Sequence, residues 1–135
     1  MNLVSVRVIT DDVARLVGFY ERLTRTPAGW STEDFAELVT TSGTLAIGST
    51  RTVGLFGPGS AEPRANRSVI LELIVDDVDA EYDALRAWVP DFVTTPTTMP
   101  WGNRALLFRD PDGNLVNLFT PVTDGAVAKF ATTPR

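Results

Sequence analysis

The chain has 135 residues, 44% hydrophobic and 21% charged, which fits one domain with a real core and excludes disordered or fibrous architectures. Twelve basic and seventeen acidic side chains leave a net charge of −5 with no Lys or Arg cluster, which excludes a nucleic-acid backbone or an anionic membrane as partner. Cysteine and histidine are both absent, so disulfides and thiolate chemistry are excluded, and any metal or acid–base role falls to carboxylates.

Val4, Val6 and Val8 alternate with Ser5, Arg7 and Ile9, which predicts a strand. Asp11 and Asp12 stop it, and Asp12 suits the N-cap of a helix carrying Val13, Leu16, Val17, Tyr20 and Leu23 at helical spacing. A short strand near 28–31 and two longer ones at 35–41 and 44–49, joined by a Ser42-Gly43 turn, follow. Residues 51–66, rich in glycine and proline, read as a connector whose apolar patch at 53–56 covers part of a cavity.

The same grammar then returns. Leu71, Leu73 and Val75 alternate with Ile70, Glu72 and Ile74, Asp76 and Asp77 follow, and Val78, Tyr82, Leu85, Trp88 and Val89 form a helical stripe with Trp88 in the core. A short strand is expected near 92–94, curtailed by Pro96 and Pro100, then strands at 103–109 and 114–119 around an Asp-Pro-Asp-Gly turn. A weak helix is expected over 124–130. ITDDV at 9–13 and IVDDV at 74–78 lie 65 residues apart, so the economical reading is a repeat. The chain then reads as one α+β domain over 1–135: module 1 at about 3–50, connector 51–66, module 2 at about 67–121 and tail 122–135. Each module is βαβββ.

VDDVDAEYDAL at 75–85 and PWGNRALLFRDPDGNLVNLF at 100–119, taken with the repeat, resemble the vicinal-oxygen-chelate superfamily of glyoxalases, bleomycin-resistance proteins and dioxygenases, over roughly residues 3–121. The resemblance implies two βαβββ modules forming a curved mixed sheet around a cavity, helices outside, in a homodimer. It also implies metal-ligand positions on the first and last strands of each module. The first-strand position falls on Ser5 and, by the repeat, on Ile70; the last-strand position falls on Asn117 and, aligning Gly43 with Gly113, on Ile47. Two aliphatic side chains and two neutral oxygen donors make no divalent site, so no metal and no cofactor are expected.

Strand parity places Val4/Val6/Val8, Leu71/Leu73/Val75 and Val116/Leu118 beneath the helices and the alternate residues toward the cavity. There Arg7 and Glu72, equivalent under the repeat, read either as a structural ion pair or as an anion anchor and a general base. Trp30, Phe35, Trp101 and Phe119 are candidates for ligand stacking, and Ser5, Arg104 and Asn117 for polar anchoring. The leading functional reading is a metal-independent cytoplasmic binder of a small, partly aromatic molecule. The alternative is a metal-free isomerase- or lyase-like enzyme using Glu72 with Arg7. Metal-dependent lyase or dioxygenase chemistry ranks last.

Overall fold

Two repeats of strand, Asp cap and helix organise the chain, each in its own structural unit. The computed structural model describes residues 1–135. Unit 1 comprises Met1–Asn66 with Pro111–Gly113, and unit 2 comprises Arg67–Asp110 with Asn114–Arg135.

Unit 1 runs β1 (Ser5–Thr10), α1 (Val13–Thr24), β2 (Gly29–Thr32), β3 (Phe35–Val39), β4 (Thr44–Ser49) and α2 (Thr50–Phe56). Its sheet has the order β1-β4-β3-β2, with β1 parallel to β4 and the other pairs antiparallel. The Asp12 side chain accepts from the Arg15 N–H and caps α1, satisfying a first-turn donor that the helix cannot. Leu16, Val17 and Tyr20 on α1 and Ala36, Leu38 and Ile47 on the sheet are all at most 2% exposed and form the core.

Unit 2 repeats the plan with β5 (Ile70–Ile74), α3 (Val78–Leu85), β6 (Thr97–Thr98), β7 (Asn103–Arg109), β8 (Leu115–Pro121) and α4 (Asp124–Lys129). Its order is β5-β8-β7-β6, with β5 parallel to β8. Asp77, 65 residues after Asp12, accepts from the Asp79 and Ala80 N–H groups and caps α3. The Val78 N–H donates to the Thr120 hydroxyl, which donates to the Val75 carbonyl, tying the helix start to β8. Val78, Leu85, Leu106, Phe108, Val116 and Leu118 are the core. The fold is therefore α+β, two βαβββ units in one chain. No helix is long and apolar enough to cross a membrane.

Four local expectations are corrected. The connector contains the helix α2, capped by Ser49, whose side chain accepts from the Arg51 N–H. The strand expected near 92–94 lies instead at Thr97–Thr98; Val93 and Thr94 both donate to the single Leu107 carbonyl, and Phe92 makes only an isolated bridge to Phe108. The second helical stripe stops at Leu85, and a tight turn in which the Trp88 and Val89 N–H groups share the Leu85 carbonyl leaves Trp88 half-buried rather than in the core. Val4 and Val6 remain exposed, at 64% and 37%, because β1 is an edge strand while α1 packs on β3 and β4.

Candidate functional site

The candidate side chains occupy the sheet face opposite the core in each unit, and register decides which of them share it. In unit 1 one row runs Arg7, Ala46, Glu37 and the next Ile9, Gly48, Phe35. The Arg7 guanidinium carbon lies 4.7 Å from the centre of the Phe35 ring and 5.0 Å from that of Phe56. Phe56 comes from α2, which folds back onto this face because Gly48 leaves room: a Cβ there would stand 2.9 Å from the Thr52 hydroxyl. An Arg51–Asp34 ion pair at 2.6 Å also holds α2, and the hydrogen bond from Arg51, then that from Ser49, keeps the Asp34 carboxyl below the usual carboxylate range. Trp30 pairs with Ala36 and so lies on the opposite face from Arg7 and Phe35, against expectation. Ser5 begins β1 and is exposed.

In unit 2 the corresponding rows are Glu72, Asn117, Leu107 and Ile74, Phe119, Ala105. The Asn117 Nδ2 donates to Glu72 Oε2 at 2.8 Å, while Asn117 Oδ1 is buried and receives no hydrogen bond. Arg7 and Glu72 thus each have partners within their own unit. Phe119 shares the Asn117 face but is only 7% exposed, because the Phe130 ring, at the end of α4, packs 5.2 Å from it. The repeat accordingly extends past βαβββ: a short helix follows the last strand of each unit and returns a phenylalanine to the face, Phe56 to Arg7 and Phe130 to Phe119. The sequence offers the apolar patch at 53–56 and the weak helix expected over 124–130, but neither signals that a phenylalanine returns to the sheet face.

Arg104, expected beside Asn117, pairs instead with Thr120, on the face of Leu106 and Leu118. Its guanidinium makes two hydrogen bonds to the Asp79 carboxylate, at 2.6 and 2.9 Å, beside the first turn of α3. That hydrogen bonding holds the Asp79 carboxyl below its ordinary value. A depressed carboxyl favours the folded state above the unfolded pKa of about 3.9, and the contribution disappears as pH falls through the lower, folded value. Arg104→Gln should therefore flatten the loss of stability as pH falls below about 4 in acid titrations followed by circular dichroism. Trp101, 69% exposed, sits in the turn before β7.

Register also revises one of the four positions at which the family resemblance places metal ligands. Val39 pairs with Thr44 across a four-residue loop, 40–43, whereas Arg109 pairs with Leu115 across a five-residue loop, 110–114. Aligning the two loop glycines is consequently out by one, and the counterpart of Asn117 is Ala46, not Ile47. Ile47 faces the core and is fully buried. Ser5, Ala46, Ile70 and Asn117 provide one hydroxyl, one amide and two hydrocarbon side chains, and no group of three His, Cys, Asp or Glu exists. This donor set does not fit a divalent cation.

Residues 2–118 match the Glyoxalase/Bleomycin resistance protein/Dioxygenase superfamily, and the chain belongs to it. The uncharacterized protein YraH of Bacillus subtilis is 28% identical over 125 residues, spanning 88% of this chain and 98% of that one. A glyoxalase/bleomycin resistance protein/dioxygenase family enzyme from Burkholderia phytofirmans superposes with a TM-score of 0.80 at 17% identity, over 90% of this chain and all of that one. A protein so described from Nocardioides gives a TM-score of 0.76 at 22% identity, over 93% and 86% of the two chains.

Proposed function

We propose that this chain binds a small, partly aromatic molecule in the cytoplasm without a metal. The observation that carries the reading is the Asn117–Glu72 pair. At the last-strand ligand position, Asn117 commits its amide N–H to Glu72 and keeps a buried Oδ1 without a donor. An unmet buried acceptor costs about 1–3 kcal/mol, a cost retained where a ligand supplies the missing hydrogen bond. Within unit 1, Phe35 and Phe56 beside Arg7 offer aromatic surface, and within unit 2 the exposed Trp101 does.

Asn117→Leu separates binding from folding. It removes the unmet acceptor, and the exposed Glu72 carboxylate can turn to water, so stability should stay level or rise by up to about 1 kcal/mol. The melting-temperature shift given by a panel of aromatic amines and aromatic carboxylates should vanish in the same variant. A loss of more than about 2 kcal/mol with the shift intact would make Asn117 structural. The enzymatic alternative places proton transfer on Glu72, whose second carboxylate oxygen is not used by Asn117. Turnover that survives chelator and disappears in Glu72→Gln would establish it.

The edge strands β1 and β5 expose Val6 and Ile70, at 37% and 45%, which supports a homodimer. Light scattering should report twice the 14.7 kDa chain mass.

A further inference from the structure

We infer that Arg7, Phe35 and Phe56 form a subsite for the carboxylate of a ligand whose remainder is apolar. The inference rests on the proposed metal-independent binding and specifies one end of what is bound.

Four other arginines of this protein end on protein acceptors: Arg15 donates to the Pro111 carbonyl at 2.8 Å, Arg51 pairs with Asp34, Arg64 makes two hydrogen bonds to Asp11, and Arg104 two to Asp79. Arg7 is held differently. Two phenyl rings lie within 5.0 Å of its guanidinium carbon, and no hydrogen bond or ion pair occupies its N–H groups within unit 1. The acidic residue in the same row, Glu37, is two strands away, beyond Ala46. Rings contact the cation through their faces and leave its planar fork of donors free. A fork orientated by hydrocarbon and lacking an acceptor is arranged to take a planar anion through two parallel N–H···O bonds.

The surroundings select among anions. A phosphate dianion is normally met by several cations or a helix N-terminus, whereas here a single guanidinium stands in a protein of net charge −5. A monoanionic carboxylate needs only the one fork. The two rings meanwhile provide apolar walls for what the carboxylate is attached to, with Phe56 74% exposed and Phe35 half-buried. Because Phe56 arrives on α2, that short helix completes the subsite.

Isothermal titration of the full chain with benzoate, benzamide and inorganic phosphate tests the assignment. Benzoate should bind, whereas benzamide, of the same shape without charge, and phosphate should not at the same concentrations. Arg7→Gln should abolish benzoate binding, Arg7→Lys, keeping charge but losing the fork, should weaken it at least fivefold, and Phe56→Leu about threefold. Melting curves should show all three variants folded. Benzoate binding unchanged in Arg7→Gln, equal binding of benzamide, or preference for phosphate would each overturn the inference. So would failure of benzoate to bind while other aromatic probes do, which leaves the broader reading standing; if no probe in the aromatic panel binds, both fall.

Discussion

Gly102→Ala is expected to destabilise the fold by roughly 2–4 kcal/mol, read as a lower midpoint in urea. Gly102 has φ 95°, a conformation that L side chains rarely adopt. An added Cβ would overlap the Thr123 hydroxyl and stand 3.0 Å from the Ala126 Cβ. The backbone there is already committed, since the Gly102 N–H donates to the Met99 carbonyl and its own carbonyl accepts from Val122 and Thr123. The turn therefore cannot relax away from the clash. Thr123 is the N-cap of α4, its hydroxyl accepting from the Ala126 N–H, so the overlap falls on the helix that returns Phe130 to Phe119. Beyond lost stability, the variant should show faster amide exchange in α4, measurable by hydrogen–deuterium exchange. An alanine variant as stable as the parent would show that the turn is not built in this way.

Phe108→Ala is expected to cost about 3–5 kcal/mol, while Phe108→Leu should cost less than about 1.5 kcal/mol. Phe108 is fully buried on β7, opposite Val116, with its ring 5.8 Å from that of Phe92. Phe92 in turn meets Tyr82 of α3 edge to face at 5.2 Å. Truncation removes the fully buried end of this aromatic stack and leaves a cavity between α3 and β7 that packed neighbours fill only in part. Denaturation should keep its slope and shift its midpoint, and amide exchange in α3 should accelerate more than in α1, which belongs to the other unit.

Much of this fold was legible in the sequence because its signals are local. Asp12 and Asp77 cap helices in the structure as their positions before apolar stripes require, and the 65-residue offset between them is the offset between the units. Alternation along β1, β5 and β8 correctly put Arg7, Glu72 and Asn117 on the face opposite the core. What failed depended on pairing between strands. A one-residue difference in loop length moved the counterpart of Asn117 from Ile47 to Ala46, which side-chain alternation turns into the opposite face. The same logic put Trp30 and Arg104 on the wrong side, since their own strands are short or begin at a turn and carry little parity of their own. The helix α2 was hidden because seven residues containing Gly54 and two threonines have weak helix propensity, and its stability comes from Ser49, Arg51–Asp34 and packing on β4.

The candidate site was readable as a list of residue types but not as an arrangement. Nothing in the sequence tells that Asn117 turns its amide to Glu72 with an unmet Oδ1, or that Phe56 reaches Arg7 from beyond the last strand of its unit. The first follows from the register of β5 on β8, the second from where the chain goes after β4.

The proposed function requires that Ser5, Ala46, Ile70 and Asn117 hold no divalent cation while this chain still binds a small molecule. Untagged protein dialysed to equilibrium against zinc, nickel and manganese, then subjected to elemental analysis, tests this directly. Metal far below one ion per chain is expected; one ion per chain, retained by the parent and released by Glu72→Gln or Asn117→Leu, would show instead that this chain keeps a metal site.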